Sequence, residues 1–129
     1  NHFVKVDNSW IPLVSSAEMS CLALSAELTR VGIENIISID ERTTRILCED
    51  PRQLEKLMSE KLHQKVTVAG DVKSFLNFRF IRSAELVFAA YKKGLVKISG
   101  AKVLEALLYA TKFKGCAISF DEIDELKRL

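Results

Sequence analysis

Five side chains between Glu18 and Arg45 carry the chemistry this chain could perform: Glu18, Asp40, Glu41, Arg42 and Arg45. A carboxylate near a helix start and another at the carboxyl end of a strand can converge on one divalent cation. Mg²⁺ or Mn²⁺ would be held there through oxygen ligands, with water completing the shell. Such an ion activates water and neutralises charge at a phosphodiester. The spacing allows a structural use as well. Glu18 could stabilise a helix N-terminus through the macrodipole, and Asp40 could cap the helix that follows it. Two acids are also fewer than a nuclease-type metal site uses. Arg42 and Arg45 lie one turn apart and could hold a phosphate by bidentate contacts. They could equally pair with Glu41 and Glu49 along a solvated helix face.

The elements that must position these groups follow from periodicity. Phe3 to Asp7 alternates apolar and polar, as a strand does, until Pro12 breaks the pattern. Ser15 or Ser16 is a suitable N-cap for a helix over about 17–30, ended by Gly32. Asn35 to Ile39 reads as a short strand that delivers Asp40 to its carboxyl end, where ligand chemistry gathers in open α/β sheets. A short helix spans 41–48. Pro51 suits the first turn of the next helix, with Asp50 as its cap, and Lys65 to Ala69 reads as extended. The pattern is helical again from Phe80 to Gly94 and over about 102–113. Ser119 and Glu122 form a capping box for a last helix. Strand, helix, strand and then a helix-rich half make the chain α/β by pattern.

The chain has 129 residues, 48% of them hydrophobic and 28% charged, which suits one globular domain with a real core. A formal net charge of +2 neither announces nor excludes nucleic acid. In the later half Arg79, Arg82, Lys92, Lys93, Lys97, Lys102, Lys112 and Lys114 alternate with Phe75, Phe78, Phe80 and Phe88. That pattern fits either a nucleic-acid face or core aromatics flanked by solvated lysines. Cys21, Cys48 and Cys116 are odd in number and far apart, which argues against a disulfide framework or zinc and for a reducing, cytoplasmic compartment. No apolar run reaches the length of a membrane span. His2 and His63 have no partners at catalytic or metal spacing. Phosphate-binding glycine loops, dinucleotide fingerprints and serine-nucleophile motifs are absent.

Over most of its length the chain resembles the later part of a PIN domain. Ser15-Ser16-Ala17-Glu18-Met19-Ser20-Cys21-Leu22-Ala23-Leu24 stands where one branch of that family has Gly-Glu-Ala-Glu-Ala and an alanine-rich helix, which puts Glu18 on the second glutamate, an acidic metal ligand. Ile36 to Arg45 matches the family's apolar strand ending in Asp-Asp/Glu-Arg-x-x-Arg, and Asp40 falls on the next acid of the site. Arg79 to Val96 resembles the helix that ends in Lys-Lys/Arg-Gly-Leu-Ile. Ser15 and Ser16 replace the motif's glycine and first glutamate. The family's opening strand, with its invariant aspartate, has no counterpart here.

The resemblance implies a three-layer α/β/α fold with a short, mostly parallel sheet and a helix-rich C-terminal half, incomplete at its N-terminus. Residues 1–129 would form one PIN-like domain, the C-terminal portion of a longer chain, with residues 49–78 as an insertion serving dimerisation or substrate binding. The implied activity is Mg²⁺- or Mn²⁺-dependent cleavage of RNA. Glu18 and Asp40 would be catalytic metal ligands, Glu41 a further acid, and Arg42 and Arg45 would face the phosphate backbone. A chain holding only part of the acidic site would be inactive alone. The alternative is a non-catalytic PIN-like domain that binds RNA or protein. A homodimer that covers an exposed sheet edge and an antitoxin-type protein partner are both compatible with the resemblance, and no membrane is expected.

Overall fold

A computed structural model describes residues 4–69 and 77–129. The chain is mixed α/β and divides into two compact units. One contains residues 1–37 and 42–79, the other 38–41 and 80–129. Of the strand expected over Phe3 to Asp7, Phe3 lies outside the described residues, as do His2 and Phe75.

The first unit begins with a hairpin of β1 (Val4–Val6) and β2 (Ser9–Ile11). Asp7 and Asn8 turn the chain at φ 44° and 67°. A two-residue loop with both positions left-handed matches the twist of the strands it joins, and Asp and Asn tolerate that backbone better than most residues. β4 (Val66–Val68) pairs on the other side of β1, giving the order β2-β1-β4. The register sets Val4 opposite Ile11 and Val68, and Lys5 opposite Trp10 and Thr67. Both pairings are antiparallel, which corrects the expectation of a mostly parallel sheet. A two-residue turn can only reverse the chain, and the motif reading had no signal for β2 because Trp10 and Ile11 sit beside Pro12.

Helices α1 (Ser16–Arg30), α2 (Arg42–Glu49) and α3 (Pro51–Leu62) complete this unit. α3 starts as its sequence dictates. The Asp50 carboxylate accepts from the Arg52 and Gln53 amides, and Pro51 occupies the first turn, where no amide is needed. One side of the sheet packs with Val14, Ile46, Leu47, Leu54 and Met58 into a core that contains Val4 and Val66. The outer edge of β4 is closed by α3. Ser59 Oγ accepts from the Val66 amide at 3.0 Å, and Glu55 Oε1 accepts from the Val68 amide at 2.7 Å. Residues 49–69, within the expected insertion, thus supply a helix and a strand to this core.

β3 (Ile37–Ser38) and β5 (Phe80–Ile81) form a two-stranded pair. The Ile37 amide donates to the Arg79 carbonyl at 2.8 Å and the Ile39 amide to the Ile81 carbonyl at 3.0 Å. The partners advance together, so these strands run parallel. The expected strand over 35–39 is therefore shorter, because Asn35 folds back on the end of α1. Its Nδ2 donates to the Ser25 and Ile33 carbonyls and to Thr29 Oγ1. Phe80 and Ile81, expected to open a helix, are extended. A short apolar run fits either period, and pairing with β3 decides it.

In the second unit α4 (Ser83–Lys92), α5 (Val103–Phe113) and α6 (Phe120–Arg128) pack around Ala84, Leu108, Cys116, Ile118 and Ile123. α6 opens with the expected capping box, in which Ser119 Oγ accepts from the Glu122 amide.

Candidate functional site

Asp40 lies two residues after β3 ends at Ser38, and Ser83 opens α4 two residues after β5 ends at Ile81. Two parallel strands that finish side by side bring these residues together although they are 43 positions apart. Asp40 Oδ1 accepts from the Ser83 amide at 2.8 Å, and Oδ2 accepts from the Ser83 hydroxyl at 2.6 Å. The Asp40 carbonyl accepts from the Ala117 amide at 3.2 Å. A carboxylate at the start of α4 satisfies an amide that the helix cannot, and it faces the positive end of the helix dipole. Asp40 thus acts as a cap at the start of α4.

The buried thiol of Cys116 completes this cluster. Burial pushes it up and the Asp40 carboxylate adds to that, while the Ala84 amide and the Ser83 hydroxyl act in the opposite sense. Beside it, Arg82 is held on several sides. Its Nε donates to Glu85 Oε1 at 2.8 Å, and its Nη1 donates to Glu122 Oε1 at 2.8 Å and to the Ala117 carbonyl at 3.0 Å. Burial opposes ionisation of Glu122, but the Ser119 amide, Arg82 and the Ser119 hydroxyl outweigh it and hold the carboxyl down at about 2. Burial acts against the Arg82 charge too, and Glu85 and Glu122 raise it in net.

Glu18 belongs to the first unit. It completes a capping box at α1, its Oε2 accepting from the Ser15 amide at 2.6 Å while its own amide donates to Ser15 Oγ at 3.2 Å. Arg42 opens α2 and is exposed, whereas Arg45 is half-buried. Glu41 lies in the second unit and is exposed. Among the described residues, no group of three or more His, Cys, Asp or Glu side chains could hold a metal ion. These residues do not by themselves fit Mg²⁺ or Mn²⁺.

The later basic residues divide. Arg82 is an internal ion-pair partner. Lys112 donates to the Ile118 carbonyl and stands 4.4 Å from the Phe120 ring centre. Lys92 donates to the Leu129 main-chain oxygen at 2.6 Å. The motifs missed Ser83 and Cys116, whose relation to Asp40 comes from strand pairing. The usable signal was a hydroxyl residue just after the apolar pair Phe80-Ile81, a pattern that fits a strand feeding a helix start. No helix among the described residues is long and apolar enough to cross a membrane. No protein-family model, curated protein or solved structure matches the chain.

Proposed function

We propose that this chain is a PIN-like domain acting on RNA, and that it contributes Asp40 to a Mg²⁺- or Mn²⁺-dependent endoribonuclease site instead of holding one alone. One observation carries the reading: Asp40 stands at the carboxyl end of the parallel β3–β5 pair, against the first turn of α4. That is the place where ligand chemistry collects in α/β sheets, and a hard carboxylate is the donor that Mg²⁺ and Mn²⁺ take. The order of elements through this region, with β3 leading to α2 and β5 leading to α4, also accords with the Ile36–Arg45 and Arg79–Val96 motifs. In this reading Glu41, next to Asp40 in the chain, is a further acid of the site, and Arg42 and Arg45 bind phosphate. The compartment is reducing and cytoplasmic.

A second reading is favoured by the use already made of both acids. Glu18 and Asp40 serve as helix caps, which suits a non-catalytic PIN-like domain that binds RNA without cleaving it.

Mn²⁺ titration followed by amide NMR separates the two. The metal reading expects paramagnetic broadening that centres on Ile39, Asp40 and Ser83 and disappears in Asp40→Asn. That variant removes charge but keeps an acceptor for the Ser83 amide, so the helix start survives. Broadening elsewhere, or none at millimolar Mn²⁺, removes the metal role and leaves the binding domain.

A further inference from the structure

The face of the three-stranded sheet turned away from the core carries a combination that the strand-end site does not use. The register sets Trp10, Lys5 and Thr67 in one row across β2, β1 and β4. Trp10 is the only tryptophan of the chain and is 41% exposed. Lys5 Nζ sits 4.5 Å from the centre of its ring. Beside the row is a hollow of about 420 Å³ lined by Lys5, Asp7, Asn8, Lys65, Thr67 and Ala69. An exposed tryptophan ring offers a flat apolar surface that a ligand can cover. The sheet's apolar residues Val4 and Val66 already serve the core on the other side.

We propose that this face binds single-stranded RNA, with one base stacked on Trp10 and the flanking phosphates met by Lys5 and Lys65. The argument is chemical complementarity. A flat aromatic surface takes any unpaired base, and each stacked base contributes about 1–3 kcal/mol in single-strand-binding sheets. Two lysines against one aspartate, Asp7, give the hollow a net positive rim suited to a polyanion. A duplex hides its base faces, and an acidic peptide has no base to stack. The edge of β4 is closed by Ser59 and Glu55, so a ligand reaches this sheet across its face and not by adding a strand there. The proposal deepens the RNA reading above by naming the surface the strand would meet. It does not depend on the metal.

The single tryptophan makes the test direct. An oligouridine of about ten nucleotides is titrated against the chain in EDTA, where no metal-dependent cleavage occurs, and intrinsic fluorescence is followed. The expected result is saturable quenching that weakens as salt rises. Lys5→Met and Lys65→Met, which leave Trp10 in place, should each flatten the log–log salt dependence by about 0.7. Trp10→Ala should bind labelled oligouridine about tenfold or more weakly by anisotropy, and Trp10→Phe should restore most of the affinity. Circular dichroism checks that each variant is folded. The proposal is overturned by an unchanged emission, by equal quenching with duplex RNA, polyphosphate or polyglutamate, or by full affinity in folded Trp10→Ala. Because EDTA removes the ion, RNA binding can fail here while Mn²⁺ still broadens Asp40, and the reverse can also occur.

Discussion

Arg82 shows how one side chain can be assigned wrongly from charge alone. In the sequence it is one of eight basic residues from Arg79 to Lys114. In the fold it ties α4 to the Ala117 carbonyl and to two carboxylates, with 13% of its side chain exposed. Arg82→Ala should therefore destabilise the protein by about 2 kcal/mol, the scale of a charged hydrogen-bond set, measured by urea denaturation. Glu122 gives this ion-pair set a pH dependence. Its carboxyl titrates near 4.5 when unfolded and is held at about 2 when folded. A depressed acid adds stability that is complete above pH 4.5 and is lost as pH falls towards 2. The melting temperature should fall over that window, and Glu122→Gln should flatten the fall. At this scale the local caps were legible: Ser15 with Glu18 and Ser119 with Glu122 lie three positions apart, and the helix brings them together. Asp40 with Ser83 was not, since only strand pairing closes a gap of that length.

Elements were legible where one rule dominated. Asp50-Pro51 announces α3, and Gly32, at φ 79°, ends the turn after α1 in a backbone that favours glycine. They were illegible where pairing chose between periods, as at Phe80-Ile81, and where a short strand sat against a proline, as at β2. The parallel expectation failed because the family resemblance stressed β3 and its partner, whereas most of the described strands belong to the hairpin sheet. Packing sets the stability of each element. Leu54 on α3 and Leu108 on α5 are fully buried in separate cores. Leu54→Ala and Leu108→Ala should each cost about 2–5 kcal/mol, the range for an aliphatic truncation in a packed core, and chemical denaturation reads it.

Across the whole molecule the three cysteines act as built-in reporters. Cys21 is exposed, while Cys48 and Cys116 are buried in different units. Burial, with the nearby Glu49, pushes the Cys48 thiol up to about 12. With a thiol-reactive chromophore the native protein should release about one equivalent quickly and the other two only as the cores open. Mass spectrometry of the labelled peptides assigns each step, and fast release of all three would contradict the described burial. The division of the chain has another consequence. Ser38–Glu41 belongs to the unit whose remaining residues start at Phe80, so on a ribosome Asp40 leaves the exit tunnel long before its partners Ser83 and Ala117. The first unit can assemble as its own residues emerge, but the second cannot close until the C-terminal helices have been made. Synthesis therefore imposes an order on folding that an intact chain diluted from denaturant does not meet, and for an interval Asp40 waits for Ser83 and Ala117 to be made.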